Sequence, residues 1–444
     1  MFSAVLVANR GEIALRIINT VQKLGMTAIA VHADVDAELP YVAKADEAVN
    51  IGPPGAYRDI EVLLDVAKRT NAQAIHPGYG FLAENAEFAQ AVIDAGYIWI
   101  GPAPETIAAV GDKNAARESM AAVGVPVAPG FSAPLDMEDE SFALAGAEQV
   151  QYPVLLKPSA GGGGMGMAVV HSAEQFATQF QKVASYARRA FGGAVLVERY
   201  YERVRHVEVQ ILGLPDGEVI ALGERDCSVQ RRYQKLVEET PAPTLGPALR
   251  ERFDIAAVQA GAAIGYLGAG TVEFLLDVDT REFFFCEINT RLQVEHPVTE
   301  EAYGVDLVAA QLEIAAGTAP TWTSAPPEAQ GHALELRINA EDPKRFLPGP
   351  GTITHWHQPS GPGVRVDAGY QLGNVVTPNF DPLLAKLIIS GPDRYTVLER
   401  ARAAVEEFEI VGPKNNLAFH AELLNTPEFI SGEYDTGIVG RMRA

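Results

Sequence analysis

Residues 153–171 read PVLLKPSAGGGGMGMAVVH. Two apolar runs, PVLLKP and MAVVH, flank a glycine cluster made of Gly161 to Gly164 and Gly166, and Lys157 closes the first run. Short apolar runs bounded by turn residues read as strands, so the stretch predicts a strand, a lysine, a glycine hairpin and a second strand. The cluster satisfies GxGxxG, but no helix follows it, and the helix N-terminus that receives a pyrophosphate is missing. GxxxxGK[ST] does not occur in the chain, which removes the P-loop reading. Glycines without a Cβ let backbone N–H groups approach phosphate oxygens, and Lys157 is placed to pair with the same phosphates. A lid over a nucleotide is one reading. A flexible surface hairpin without a ligand is the other, weakened by the buried-strand flanks and the lysine at the mouth.

Upstream, AVLVAN is a short apolar run, Asn9 to Glu12 breaks it, and Ile13, Ile17, Ile18 and Val21 carry helical spacing. TAIAVHA, AQAIHPG and YIWIG repeat the strand pattern, with IEVLLDVAKR and ENAEFAQAVIDAG as helices between them. Alternation of this kind predicts a parallel α/β sheet over roughly the first 110 residues. Its first turn, Ala8-Asn9-Arg10-Gly11-Glu12, has no dinucleotide fingerprint, which argues against a nicotinamide role. From Lys113 to Thr318 the pattern changes to strand pairs: PVLLKP with MAVVH, AVLVERY with HVEVQILG, then EVIALG, and TVEFLLDV with EFFFCEI. Tyr186 to Ala190 and Leu249 to Ile264 supply helices, an α+β arrangement. The Pro-rich stretch Ala319-Pro320 through Pro326-Pro327 reads as a linker, after which short strands and one helix, YTVLERARAAVEEFEI, close the chain.

Composition narrows the function classes. At 444 residues, with 48% hydrophobic and 21% charged residues, the chain has ordinary globular usage and room for two or three domains. A formal charge of -22 repels nucleic acid and acidic membranes, so an anionic substrate needs a locally basic pocket. The two cysteines, Cys227 and Cys286, fall inside apparent strands and make no disulfide framework, which points to a reducing cytoplasm. The first residues lack a signal-peptide pattern and no apolar run of membrane-spanning length occurs, so a cytoplasmic protein is expected.

The second constellation is acidic. A hairpin turning near Asp279 and Thr280 brings Glu273 roughly opposite Glu287, and two-residue alternation then sends Glu287, Asn289 and Arg291 to one face. Two carboxylates and an amide suit a hard divalent ion such as Mg²⁺ that leaves positions open for phosphates. The competing reading pairs Glu273 and Glu287 with Arg291 and Arg225 in a structural ion network, and on this motif alone the two stand level. A third cluster, RDCSVQRRYQK, concentrates Arg225, Arg231, Arg232 and Lys235 in an acidic chain, and TRLQVEHP adds Arg291 and Glu295. It reads as an anion site or as a solvated charge run. His76, His206 and His296 are assigned no role as a base.

Taken together, ANRGEIALRI, AIHPGYGFLAEN, GDKNAAR, LLKPSAGGGGMGM, ERDCSVQRRYQK, EINTRLQVEHPVTE, LRINAEDP and NFDPLLAKL resemble, in order and over essentially the whole chain, the biotin carboxylase family of ATP-grasp enzymes. The resemblance implies an N-terminal parallel α/β (pre-ATP-grasp) domain over 1–112, an ATP-grasp domain over 113–318 with its glycine-rich lid at about 131–203, a linker at 319–330, and a C-terminal α+β domain over 331–444. It implies that Lys113 and Lys157 contact ATP phosphates under a lid formed by Gly162, Gly163 and Gly164. Glu198 and Tyr201 then hold the adenine, and His206, Gln230 and Tyr233 lie near ribose and phosphates. Glu273, Glu287 and Asn289 hold the metal, with two Mg²⁺ or Mn²⁺ ions expected. Lys235, Arg291, Gln293, Val294 and Glu295 form the bicarbonate pocket, Glu295 is the base, Arg337 faces the biotin ureido oxygen, and Tyr79 borders the biotin.

The implied reaction is ATP-dependent carboxylation of biotin N1′ through carboxyphosphate, with Glu295, Arg291, Lys235 and Arg337 catalytic. A lysine that carries biotin is usually flanked by methionines, and none of the methionines here neighbours a lysine, so biotin is expected as a substrate on a separate biotin carboxyl carrier protein or biotinylated subunit. A carboxyltransferase subunit and a homodimer are the further partners implied, with no nucleic acid and no membrane. Ala160, Met165, Tyr233 and Arg199 depart from the family pattern; Ala160 and Met165 alter the lid, and Tyr233 one phosphate or ribose contact. Two rivals remain: another ATP-grasp ligase, disfavoured by RLQVEHP and LRINAEDP, and a non-catalytic nucleotide-binding subunit, disfavoured by Glu295, Arg291, Lys235 and Arg337.

Overall fold

The computed structural model describes residues 2–133, 140–158, 166–190 and 194–443. Gly162, Gly163, Gly164, Ala160 and Met165, all named above, lie outside the described residues.

The first sheet is parallel: β1 (Ala4–Val7), β2 (Thr27–Ala33), β3 (Glu47–Gly52), β4 (Ala74–His76) and β5 (Ile98–Trp99) lie in the order β3-β2-β1-β4-β5. Strand order reverses between β1 and β4, and in such sheets ligands lie beyond the carboxyl ends at that switch. The chain leaving β1 at Asn9 and the chain leaving β4 at Tyr79 meet there: Asn9 Nδ2 donates to the carbonyls of Pro77 and Tyr79, both at 2.7 Å. The helices Gly11–Lys23 and Ile60–Arg69 bury Ile13, Ile17, Ile18 and Val21, and Leu63, Val66 and Ala67, against this sheet.

A four-stranded antiparallel sheet follows, with β6 (Gly130–Ala133), β7 (Val154–Pro158), β8 (Ala168–Val170) and β9 (Val195–Arg199) in the order β6-β9-β7-β8. The helices Glu140–Val150 and Ala173–Ala190 pack on one face, where Val154, Leu156, Val195 and Val197 meet Phe176 and Phe180. Alternation along β7 therefore turns Leu155 and Lys157 the other way, toward a cleft.

The largest sheet has eight strands. β10 (Val204–Gly213), β11 (Val219–Arg231), β12 (Gln234–Thr240), β13 (Gly268–Asp277), β14 (Phe283–Asn289) and β15 (His332–Asn339) are joined by Leu383–Gly391 and Val364–Ala368, in the order β14-β13-β10-β11-β12-β15 and then those two. Val207, Val209 and Ile211 of β10 and Val272, Phe274 and Leu276 of β13 share one apolar face with Phe253 and Ala257 of the helix Pro247–Ala263. The two-residue period leaves His206, Glu208 and Glu273 on the opposite face, which faces the cleft.

Three expectations need correction. AVLVERY and HVEVQILG do not form a hairpin: β9 pairs with β6 and β7, and β10 pairs with β11 and β13, in a different sheet. The chain closes with four helices, Arg394–Glu407, Leu417–Leu423, Pro427–Ser431 and Ile438–Met442, and the final residues of YTVLERARAAVEEFEI form the strand Glu409–Val411 paired with His355–His357. The helix read at Tyr186 to Ala190 begins at Ala173. The eight-stranded sheet runs across residues 319–330, because β12 and β15 are hydrogen-bonded neighbours.

Candidate active site

A cleft of about 1010 Å³ opens between the three sheets. Among the expected site residues, Tyr79, Lys113, Lys157, Glu198, Tyr201, His206, Gln230, Tyr233, Lys235, Glu273, Glu287, Asn289, Arg291, Gln293, Val294 and Arg337 all line it. Glu295 is fully buried just behind that surface.

The β13–β14 hairpin turns through Asp277, whose carboxylate accepts from Asp279 N at 3.0 Å and from Thr280 Oγ1 at 2.9 Å. Its register places Glu273 directly opposite Glu287 and Thr271 opposite Asn289. Glu287 is partly exposed and stands 3.3 Å from Lys113 Nζ. The strand ends at Asn289, yet Arg291 folds back and donates to Asn289 Oδ1 at 3.0 Å, to Gln293 Oε1 at 3.2 Å and to Glu84 Oε2 at 2.9 Å. The ion network weighed in the sequence is not the one built. Arg225 is buried on Glu208 (2.6 Å), Gln210 (2.8 Å) and the hydroxyls of Thr299 and Thr271 (both 3.0 Å), so it is a structural cation. Arg231 donates to the carbonyls of Arg345 and Phe346, away from the anion pocket.

Lys235 is the hub. Its ammonium lies 2.5 Å from Glu208 Oε2, 2.8 Å from Glu273 Oε1 and 2.7 Å from Glu295 Oε1. Burial alone lowers its pKa, but Glu208, Glu273 and Glu295 outweigh burial and the shift is well upward, so Lys235 is a permanent cation. Glu295 precedes the helix His296–Tyr303, and its second oxygen accepts from Arg337 at 2.8 Å. Burial pushes the Glu295 carboxyl up, and Lys235, Arg337 and Arg225 more than reverse it, so the group is held ionised. Arg337 also donates to Glu238 Oε1 at 2.6 Å. Glu273 is further held by His206 at 3.2 Å and Gln293 at 3.2 Å.

Toward the four-stranded sheet, Lys157 Nζ pairs with Glu198 Oε2 at 2.5 Å, and Tyr201 stacks on Phe284 at 4.8 Å between centroids. Gln230 donates to the Cys227 carbonyl at 3.1 Å, and Tyr233 stands exposed at the tip of the β11–β12 turn. Both cysteines sit in strands, Cys227 in β11 and Cys286 in β14, and both are free.

Sequence reasoning missed Glu84, Glu208 and Glu238. Glu208 was within reach, since HVEVQ puts it two residues from His206 on the same strand face. Glu84 and Glu238 gave no such signal, because they reach the site only through the packing of separate segments. The donor set at the metal position fits: Glu273, Glu287 and the Asn289 amide oxygen are hard oxygens on one face, which suits Mg²⁺ or Mn²⁺. His206, Glu208 and Glu273 also approach closely enough to ligate, but Lys235 occupies the middle of that group.

The family description "Biotin carboxylase, N-terminal domain" matches residues 1–107, "Carbamoyl-phosphate synthase L chain, ATP binding domain" matches 112–320, and "Biotin carboxylase C-terminal domain" matches 335–441. The chain is 47% identical to the biotin carboxylase of Nostoc sp. over 99% of both proteins, and 46% identical to that of Pseudomonas aeruginosa over 97% of this chain and 96% of the relative. A crystal structure of a Campylobacter jejuni biotin carboxylase complex superposes with a TM-score of 0.95 at 39% identity, covering 99% of each chain. The biotin carboxylase domain dimer of Hydrogenobacter thermophilus 2-oxoglutarate carboxylase, solved with MgADP, ADP and bicarbonate, gives 0.95 at 42% identity over 99% of this chain and 98% of that one. The fold is of the ATP-grasp type, and the chain is an ATP-dependent ligase. The chain belongs to the biotin carboxylase family. No helix among the described residues is long and apolar enough to cross a membrane.

Proposed function

We propose that the protein carboxylates biotin N1′ with ATP and bicarbonate, through carboxyphosphate, as the first half-reaction of a biotin-dependent acyl-CoA carboxylase. The observation that carries this reading is the bridge made by Lys235, which touches Glu295 at 2.7 Å and Glu273 at 2.8 Å and so joins an anion pocket to the carboxylates assigned to the metal.

In this reading Lys113 and Lys157 hold ATP phosphates, with Gly162, Gly163 and Gly164 closing over them. Glu198 and Tyr201 border the adenine, and His206, Gln230 and Tyr233 the ribose and phosphates. A bound Mg²⁺ or Mn²⁺ pair, held by Glu273, Glu287 and Asn289, would screen phosphate charge. Lys235, Arg291, Gln293 and Val294 seat bicarbonate against Glu295. An anion drawn onto Lys235 loosens that ammonium from Glu295 and raises its proton affinity, so Glu295 takes the bicarbonate proton as an oxygen attacks the γ-phosphorus and ADP leaves. Carboxyphosphate breaks to CO₂ and phosphate, and phosphate removes the N1′ proton. N1′ then attacks CO₂ while Arg337 stabilises the ureido oxygen and Tyr79 borders the ring.

Residues 1–112, 113–318 and 331–444, with 319–330 connecting them, are the functional units proposed. The lid spans about 131–203, the α/β part that swings over bound nucleotide in this reading. The relatives support this role over another ATP-grasp ligase or a non-catalytic subunit. A homodimer, a biotinylated carrier, a carboxyltransferase partner and a cytoplasmic setting complete the proposal. Turnover with ¹⁸O-labelled bicarbonate tests the route: label must appear in the released phosphate, and unlabelled phosphate would exclude carboxyphosphate.

A further inference from the structure

The loop Thr290–Glu295 carries the proposed bicarbonate pocket but belongs to no strand or helix. Irregular backbone in a buried setting must find partners elsewhere for its carbonyls. The Gln293 carbonyl is taken by His296, through Nδ1 at 2.8 Å, and the Glu295 carbonyl by Val298 N at 3.3 Å. The carbonyl between them, that of Val294, accepts from Lys386 Nζ at 3.0 Å.

Lys386 is an expensive way to satisfy one carbonyl. It is fully buried on the strand Leu383–Gly391, opposite Arg337 of β15 on one side and Asp367 of Val364–Ala368 on the other. Its ammonium pairs with Glu12 Oε2 at 3.0 Å, and Glu12 opens the first helix of the N-terminal sheet domain. Asp367 is already held by Arg365 through two bonds of 2.9 and 2.8 Å, and Glu335, opposite Glu238, is buried nearby. The charge on Lys386 is therefore balanced chiefly by Glu12, from a segment far away in sequence. A charge-assisted bond to a carbonyl is stronger than a neutral one and fixes the plane of the peptide it holds. Here that peptide links Val294 to Glu295, whose carboxylate must meet Lys235 and Arg337.

We propose that Lys386, balanced by Glu12, is a positioning residue for bicarbonate: it holds the Val294 carbonyl so that Gln293, Val294 and Glu295 present a preformed anion pocket. The inference rests on the bicarbonate reading of that loop. Lys386 does not line the cleft, and its bonds run to Val294 and Glu12 rather than to Lys113, Lys157 or Glu198, so its effect falls on one substrate.

The test is bicarbonate-dependent ATP cleavage by the full chain, with KM measured separately for bicarbonate and ATP. Lys386→Met should raise the bicarbonate KM about tenfold or more and leave the ATP KM within about twofold, and Lys386→Arg should recover most of the loss. A wild-type protein that cleaves ATP without regard to bicarbonate would overturn the functional reading itself. Wild-type dependence combined with an unchanged bicarbonate KM in folded Lys386→Met would overturn the positioning role alone, as would equal rises in both KM values. If the buried Glu12 left unpaired prevents folding, the double variant Glu12→Gln with Lys386→Met removes both charges and carries the same two outcomes. Should that also fail to fold, Glu12→Gln alone is read for a bicarbonate KM about threefold higher, and an unchanged value contradicts the proposal.

Discussion

Arg337 bonds the two carboxylates Glu238 and Glu295 at once, and neither of its bonds reaches the nucleotide side of the cleft. Arg337→Ala is therefore expected to leave ATP affinity within about threefold and to slow biotin carboxylation by about 3 kcal/mol, roughly a hundredfold. Equilibrium nucleotide binding beside the biotin-dependent rate checks this, and loss of ATP binding would contradict the assignment. His76 makes a second residue-scale statement. It is fully buried, its Nδ1 accepts from Gly78 N at 3.0 Å, and burial lowers its pKa to about 3. The folded state thus refuses a proton that the unfolded chain accepts below about 6.5, so the stability this residue gives is present above that value and is lost as pH falls toward 3. His76→Asn, which keeps an acceptor for Gly78, should cost stability at pH 7.5, with the gap to wild type narrowing by up to about 1.4 kcal/mol per pH unit below 6.5. Urea melts of both proteins at pH 7.5 and 5.5 measure that gap, and a constant gap would refute the linkage. The sequence named Arg337 and Glu295 through the resemblance, whereas the Glu238 that holds Arg337 could not be read from it. Its neighbour Glu335 is fixed by strand pairing across residues 241–331, which hold β13, β14 and several helices, and periodicity carries no such information.

At the scale of elements, the β13–β14 hairpin was the most legible part of the chain. Turn residues at Asp279 and Thr280 between two apolar strands set the pairing from Leu276↔Phe283 to Phe274↔Phe285, and a one-residue bulge at Cys286 then brings Glu273 opposite Glu287. TAIAVHA and IEVLLDVAKR coincide with β2 and with the helix Ile60–Arg69 for the same reason: their hydrophobic periods are complete within the segment. β9 and β10 misled because adjacent strands joined by a short connection usually pair, while here the choice of sheet is made by β6 and β7, which contact β9 through long-range packing. β3 was not read as a strand because half of its residues are exposed at the sheet edge and it lacks an apolar run. The hairpin yields a prediction of its own. Among the described residues Glu287 forms an ion pair only with Lys113, at 3.3 Å and partly exposed, a pair worth little to folding. Glu287→Gln should raise the Mg²⁺ concentration needed for half-maximal ATP cleavage several-fold, roughly tenfold at most, while Tm without nucleotide moves by no more than about 2 °C. A large fall in Tm with unchanged Mg²⁺ dependence would make Glu287 structural instead.

Over the whole molecule, the division into an N-terminal parallel sheet and a later mixed region was legible in the alternation of strands and helices, but the sharing of one sheet across residues 319–330 was not. β12 pairs with β15 from Thr240↔Ala333 to Val237↔Leu336, so a chain cut within 319–330 exposes two long sheet edges and the buried charges Glu238, Glu335 and Lys386. Separately expressed halves 1–318 and 331–444 are expected to aggregate and to recover a folded, monodisperse complex only when produced together; a folded 331–444 alone, seen by its amide exchange protection, would contradict this. The same continuity places Arg337 and Lys386, from the last part of the chain, against Glu295 and Val294 from the middle and Glu12 from the beginning. The site is thus a property of the assembled sheets, with the proposed nucleotide side contributed by Lys113, Lys157 and Glu198 and the proposed anion side by Lys235, Arg291 and Glu295. The measurement that bears most directly on this account is ADP release by the purified protein with Mg²⁺ and ATP, with and without bicarbonate, and then with free biotin or a biotinylated carrier. Turnover that requires bicarbonate and rises with biotin is the expected result. Turnover indifferent to both would contradict the proposed reaction while leaving the ATP-grasp fold standing.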